Sequence, residues 1–273
     1  MIIFYILSSV AVALFVLYVF STMCRTGHEG LSALRGWAYA HRGLHGGADV
    51  PENSLEAFRL AVAAGYGSEL DVHLLTDGNL AVIHDSTLKR TTGVEGRIED
   101  LTIGQLANYR LEGTNQTIPT LESVLEIYPG TAPLIIELKP IGTNHTELCS
   151  RVCKLLDTYE GEYCIESFDP RCVYWLKKNR PDIIRGQLTE NFFLAKNSQL
   201  PWVVKFALKF QLLNFLIKPD FVAYKYRDRN NFSNFLCRKL WGAQGVTWTL
   251  TTKQEFDTAV SEGWIPIFEG FRP

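Results

Sequence analysis

Runs of one charge are missing from this chain. Its 273 residues carry 27 Lys and Arg against 29 Asp and Glu, a formal net charge of −2, and no basic stretch dominates. That balance offers no electrostatic track for a phosphate backbone, so nucleic acid is not expected as a partner. Low-complexity segments and short internal repeats are also absent. Cysteines are few and scattered, at Cys24, Cys149, Cys153, Cys164, Cys172 and Cys237. Cys149 and Cys153 stand four apart on a helical stretch, with no second pair to complete a zinc site. A domain of this size needs no disulfide staples, so reduced and mostly buried thiols are expected. No Gly-rich phosphate fingerprint follows the first strand, which counts against a doubly wound open sheet. No serine or cysteine nucleophile is indicated.

Charged side chains are lacking throughout "MIIFYILSSVAVALFVLYVFSTMC", residues 1–24. As a helix this stretch is long enough to cross a hydrocarbon core of roughly 30 Å. A cleaved signal peptide would want a Lys or Arg first, a shorter apolar core and small residues at the cut. Neither basic residue nor short core is present, and Ser21-Thr22-Met23 is a poor cleavage site, so a single-pass membrane anchor is expected. Arg25 and Arg35, the nearest positive side chains, follow the span, which places the next domain on the cytoplasmic side. Residues 25–35 then read as a linker and 36–273 as the globular domain.

From residue 36 the chain alternates short β-rich runs with helix-like segments. The strand candidates are "WAYAHRG", "SELDVHLL", "LAVIHD", "LIIELK", "EYCIESF", "IIRGQL", "FVAYKY", "GVTWTL" and "IPIFEG". Between them lie amphipathic stretches such as residues 55–64, with Asn53 or Ser54 as the cap and Gly65 as the stop. This pattern is α/β and points to a (β/α)8 TIM barrel. Nine strands are one too many, and "LLTDGNLAV" explains the surplus. Asp77-Gly78 between apolar runs signals a two-residue β-hairpin joining the second and third strands. Residues 201–220, "PWVVKFALKFQLLNFLIKPD", form an insertion too apolar for an ordinary connection and too short to span a bilayer. It reads either as a helical lid on the barrel or as a surface that touches the membrane or a lipid tail.

The chemistry gathers where apolar strands end. Glu69 and Asp71 are two apart and so share a strand face, as do Glu137 and Lys139. Unpaired buried carboxylates cost several kcal/mol. Three of them converging make sense around a divalent cation, and all-oxygen ligation favours Mg2+ or Ca2+ over zinc. His41 and His84 both end apolar runs, beside Arg42 and the carboxylates. Two histidines can divide the work of a base and an acid near neutral pH, while the cation, Arg42 and Lys139 stabilise charge on a phosphodiester. His73 shares the Glu69 and Asp71 face but sits nearest the hairpin turn, where a solvated side chain is expected. His28, His45 and His145 read as surface residues.

In "HRG", "PENS", "ELDVHLLTDGNLAVIHDSTLKRTTGVEG", "IPTLESVL" and "IELK", and more weakly in "ESFDP" and "VTWTL", the chain resembles the glycerophosphodiester phosphodiesterases over about residues 37–273. The resemblance implies a (β/α)8 barrel with Ca2+ or Mg2+ at its C-terminal mouth. It implies His41 and His84 as the acid/base pair, Glu69, Asp71 and Glu137 as metal ligands, and Arg42 and Lys139 as phosphate contacts. Glu52 would support the site, and Trp248 would stand near the substrate. His84 is open to assignment in the metal shell instead. The chain departs from the family in reading "IFEGFRP" where many members read "IITDRP", and "WTL" where "WTVN" is common. The implied reaction releases an alcohol and sn-glycerol 3-phosphate. The alternatives are lysophospholipase D-type cleavage to lysophosphatidic acid, linear or cyclic, and a non-catalytic, membrane-tethered barrel that binds lipid headgroups.

Overall fold

The computed structural model describes all residues except 48, 129, 131 and 196–198. All nine expected strands form: β1 (Tyr39–Ala40), β2 (Gly67–Leu74), β3 (Leu80–Val82), β4 (Leu134–Leu138), β5 (Tyr163–Ser167), β6 (Arg185–Thr189), β7 (Phe221–Lys225), β8 (Gln244–Leu250) and β9 (Trp264–Phe268). Eight of them run parallel in the order β1-β9-β8-β7-β6-β5-β4-β2, and β1 pairs with β2 to close the barrel. The ninth, β3, lies antiparallel beside β2 on the outside of this ring. Closure leaves the parallel strands no free edge, and the connecting helices pack outside.

The hairpin differs from expectation by one residue. The Leu75 N–H donates to the Asn79 carbonyl, enclosing Thr76, Asp77 and Gly78 in a three-residue turn. Gly78 takes the left-handed φ of 81° that ends such a turn. The antiparallel return sets the Ile83 N–H on the Asp71 carbonyl, 3.1 Å, and so carries His84 back beside the acidic strand.

Alternation along the strands sorts the core into layers. Leu70, Val72, Ile136 and Leu138 point outward into a cluster with Leu121, Val124, Leu148 and Val152 of the helices. Ile135, Cys164, Phe221, Val246 and Ile265 form a second cluster, which Leu31 and Leu34 join. Those two leucines belong to a short helix, α2 (Leu31–Leu34), inside the stretch expected as a linker. That stretch is packed structure. Leu34 is buried and its carbonyl accepts from the Tyr39 hydroxyl. Arg25 pairs with the buried Asp220 and donates to the carbonyls of Pro181 and Ile183. Residues 25–35 thus cover the end of the barrel where the strands begin.

Before them runs α1 (Ile2–Ser21), 20 residues with no buried side chain and a mean hydropathy of 2.6 in its most apolar window. It is long and apolar enough to cross a membrane. Its C-terminal turns lie against the barrel wall: Phe20 meets Phe215, and the Tyr18 hydroxyl lies 2.8 Å from that of Ser233. All six cysteines are buried and free.

Candidate active site

Strand register builds the acidic floor of the mouth. Asp71 of β2 pairs with Glu137 of β4, which pairs with Glu166 of β5, so three carboxylates stand at one level of adjacent strands. Glu69 lies two residues below Asp71 on the same face. Glu69, Asp71 and Glu137 are all buried and present ligand atoms within 4.8 Å of one another. The Lys139 ammonium sits 3.0 Å from Asp71 and 2.8 Å from Glu137.

This crowding shows in the acidities. Burial, and then the charges of Asp71 and Glu137, push Glu69 well above the usual carboxylate range. Burial raises Glu137 to about 7, in spite of Lys139. Glu166 is likewise raised well above the usual value, by burial and by Glu137. Burial works against the charge of Asp71 too, yet Lys139, Arg42 and the Asn53 amide hold it well below the ordinary value. Ionised together, the four buried carboxylates would outnumber the one lysine and one arginine beside them. One oxygen of Glu166 has no hydrogen-bond partner among the described residues. An all-oxygen set short of positive charge fits a hard divalent cation.

The loop after β1 supplies the next groups. Arg42 and Asn53 both take the left-handed φ of 54°, and the Asn53 N–H donates to the Arg42 carbonyl. That cross-link folds "HRG" onto "PENS". Gly43, at φ 79°, lies so close to the helix α3 (Leu55–Ala63) that a Cβ would stand 2.8 Å from the Ala57 Cβ. Here the glycine admits the helix. Ser54 caps α3 by accepting from the Ala57 N–H. The Asn53 amide donates to Asp71, 2.9 Å, and the Arg42 N–H donates to Glu69, 3.2 Å. Glu52 accepts from Arg42, 2.9 Å, and from Arg90, 2.6 Å.

Both expected histidines stand at this mouth, and each is held by a carboxylate. His41 Nδ1 lies 2.5 Å from Glu269 Oε2, while its Nε2 faces Glu69 at 3.8 Å. His84 Nδ1 lies 2.7 Å from Asp85 Oδ1, and Asp85 is held in turn by Arg90. A carboxylate on Nδ1 fixes the tautomer and leaves Nε2 as the working nitrogen. Burial lowers the pKa of His41 against the pull of Glu269, and burial with Lys139 lowers His84 to about 4. Both shifts favour the neutral ring. The hydrogen bond from His41 holds Glu269 down at about 2.

The sequence reading gave neither of these carboxylates its role on a histidine. Asp85 follows His84 directly in "VIHD", and that dipeptide was the available signal. Glu269 lies 228 residues from His41, and the "IFEGFRP" departure marked it, with Phe271, only as the late wall of the site. His45 is also drawn in, with Nε2 3.9 Å from Glu269, and so belongs to the rim of the site. His73 departs from expectation: it is buried, its Nδ1 lies 2.8 Å from Glu99 and its Nε2 3.2 Å from the His84 carbonyl. The folded 84–99 loop covers the hairpin end that reads as open in the sequence. Trp248 reaches the mouth from β8, edge-on to Phe168 at 5.6 Å, and Lys139 lies 6.0 Å over the Phe168 ring. His84, Glu137, Lys139 and Phe168 line a cleft of ≈ 440 Å³.

Residues 41–268 match the model of the "Glycerophosphoryl diester phosphodiesterase family". A human protein named "Glycerophosphodiester phosphodiesterase 1" is 29% identical over 254 residues, 80% of this chain and 72% of that one. A "Glycerophosphodiester phosphodiesterase" of Caldanaerobacter subterraneus is 29% identical over 237 residues, covering 82% and 89%. A rat lysophospholipase D is 35% identical over 137 residues, 45% of this chain and 42% of its own. Among solved structures, an Oleispira antarctica phosphodiesterase in complex with the product sn-glycerol-3-phosphate superposes with a TM-score of 0.71. It is 23% identical, with 88% of this chain and 94% of that one covered, and shares the fold.

Proposed function

The chain belongs to the glycerophosphoryl diester phosphodiesterase family and is a phosphoric diester hydrolase, and from that footing we propose that it hydrolyses glycerophosphodiesters to an alcohol and sn-glycerol 3-phosphate. The observation that carries the site assignment is the cluster of Glu69, Asp71 and Glu137 flanked by two carboxylate-held histidines. Glu69, Asp71 and Glu137 would hold Mg2+ or Ca2+, which supplies positive charge to a phosphate oxygen when bound.

The other roles fall to the chain's own side chains. Arg42, whose Nε has no hydrogen-bond partner among the described residues, and Lys139 hold the phosphate oxygens. Glu52 keeps the Arg42 guanidinium in place. One histidine takes a proton at Nε2 from the attacking water, and the other delivers a proton to the leaving oxygen. The histidine that donates is charged in the substrate complex, where the phosphodiester anion favours the imidazolium. Trp248 and Phe168 form the apolar wall against which the substrate lies.

Helix α1 anchors the chain in a membrane, with the barrel on the cytoplasmic side. Arg25 and Arg35 after the helix and six reduced thiols support that placement. Residues 201–220 touch the same membrane. A lysophospholipase D reaction is the second reading, favoured by exposed apolar side chains such as Trp202 beside the mouth. The test is turnover of glycerophosphocholine by the full chain. His41→Asn and His84→Asn should each cut kcat by about 10²-fold or more with the fold retained. Near-wild-type turnover in either variant removes that histidine from the mechanism.

A further inference from the structure

We infer that the barrel is held with its mouth pressed against the bilayer that α1 enters, so that phosphodiesters reach the site from the lipid surface. The inference deepens the proposed function and rests on it for the substrate class. The orientation itself comes from how α1 is docked. Thr22 bonds to Cys237 and Trp241, Tyr18 to Ser233, and Phe15 stacks on Phe232. As α1 runs from residue 15 to 22, its partners advance from 232 to 241, so α1 runs parallel to the helical stretch 232–240 that follows β7. That helix starts at the mouth and returns to the strand origins. The C-terminal end of α1 therefore lies at the closed end of the barrel, where Arg25 meets Asp220. Residues 2–14 make no barrel contact of this kind and extend past the level of Phe232, on the side where the mouth opens.

Length then fixes the depth. At 1.5 Å per residue, residues 2–14 reach about 20 Å, short of a hydrocarbon core of about 30 Å. The remaining third of the span is the part of α1 already lying on the barrel, so the barrel surface beside it must enter the lipid. That surface is apolar. Phe232 and Phe235 are 50% and 56% exposed and stacked on each other. The connection after β6 also belongs to the mouth end. The Phe192 ring meets Phe168, and the Leu208 carbonyl accepts from Thr189 at the end of β6. From it Leu194, Trp202, Val203 and Phe206 face solvent, with Trp202 71% exposed. Apolar side chains crowding one end of a barrel, next to a membrane-length helix, suit a lipid surface.

The experiment places nitroxide labels on the full chain in phosphatidylcholine nanodiscs, through Val203→Cys, Phe235→Cys and, at the closed end, Ser32→Cys. The six native thiols are buried, which directs the label to the new one. Positions 203 and 235 should collide with oxygen more than with a water-soluble nickel chelate, and position 32 the reverse. Equal nickel access at 203, 235 and 32 would overturn the orientation. In a second arm, Trp202→Asp with Val203→Asp should lower turnover of lysophosphatidylcholine carried in vesicles at least tenfold and leave soluble glycerophosphocholine turnover unchanged. Unchanged vesicle turnover, or equal loss on both, would count against delivery from the lipid. Wild-type protein inactive on both substrates would sink the functional reading, while the collision ratios would still decide the orientation.

Discussion

Glu269 and Asp85 each hold a histidine by Nδ1, and neither touches the acidic cluster through a hydrogen bond. On the proposed mechanism they act through the rings they orient. Glu269→Gln should leave folding intact and lower kcat about 10²-fold with little change in KM, as expected when an acid/base group loses its fixed tautomer. A matching rise in KM would point to a substrate contact instead. Acidity at this scale also sets the pH response to metal. Glu137 rises from 4.5 to about 7 on folding, so without a cation its contribution favours the folded state below pH 4.5 and is lost as pH climbs through 7. A bound cation must displace that proton. The rise in Tm on adding Mg2+ or Ca2+ should therefore be larger at pH 8 than at pH 6, and Glu137→Gln should shrink the difference. Scanning calorimetry at the two pH values checks this. Most of these residues were legible because they end apolar runs. Glu269 was legible only as part of the site's late wall, since its contact with His41 exists only once β9 pairs with β1.

Among the elements, residues 25–35 differ most from their reading in the sequence. Leu31 and Leu34 are too few to show a helical period, and "GHEGLSALRG" looks like a tether. Only the end of the barrel where the strands begin supplies the apolar surface that they cover. Asp220 is fully buried, accepts the Arg185 N–H and faces Arg25. Asp220→Asn should cost about 3 kcal/mol, because it strands Arg25 beside a neutral group. Leu34→Ala should cost about 2–4 kcal/mol through the cavity it leaves. Denaturant melts of the full chain in detergent measure both, and values within 0.5 kcal/mol of wild type would return the segment to the status of a tether. The β2–β3 hairpin, by contrast, was readable from Asp77-Gly78, because a left-handed turn position is a local demand that glycine meets.

For the whole molecule, alternating strands and helices announced a barrel, and the surplus strand announced the hairpin. Both are local patterns repeated often enough to specify a closed sheet. The direction in which α1 lies along the barrel is a packing outcome that no periodicity carries. Activity is where the account meets its main test: full chain in detergent, glycerophosphocholine as substrate, with Ca2+, with Mg2+ and with chelator, and the phosphate-bearing product identified by phosphorus NMR. The expected result is sn-glycerol 3-phosphate released only with a divalent cation and lost in Glu69→Gln. Release that persists in chelator, or folded protein that binds the cation and forms no product, would contradict it.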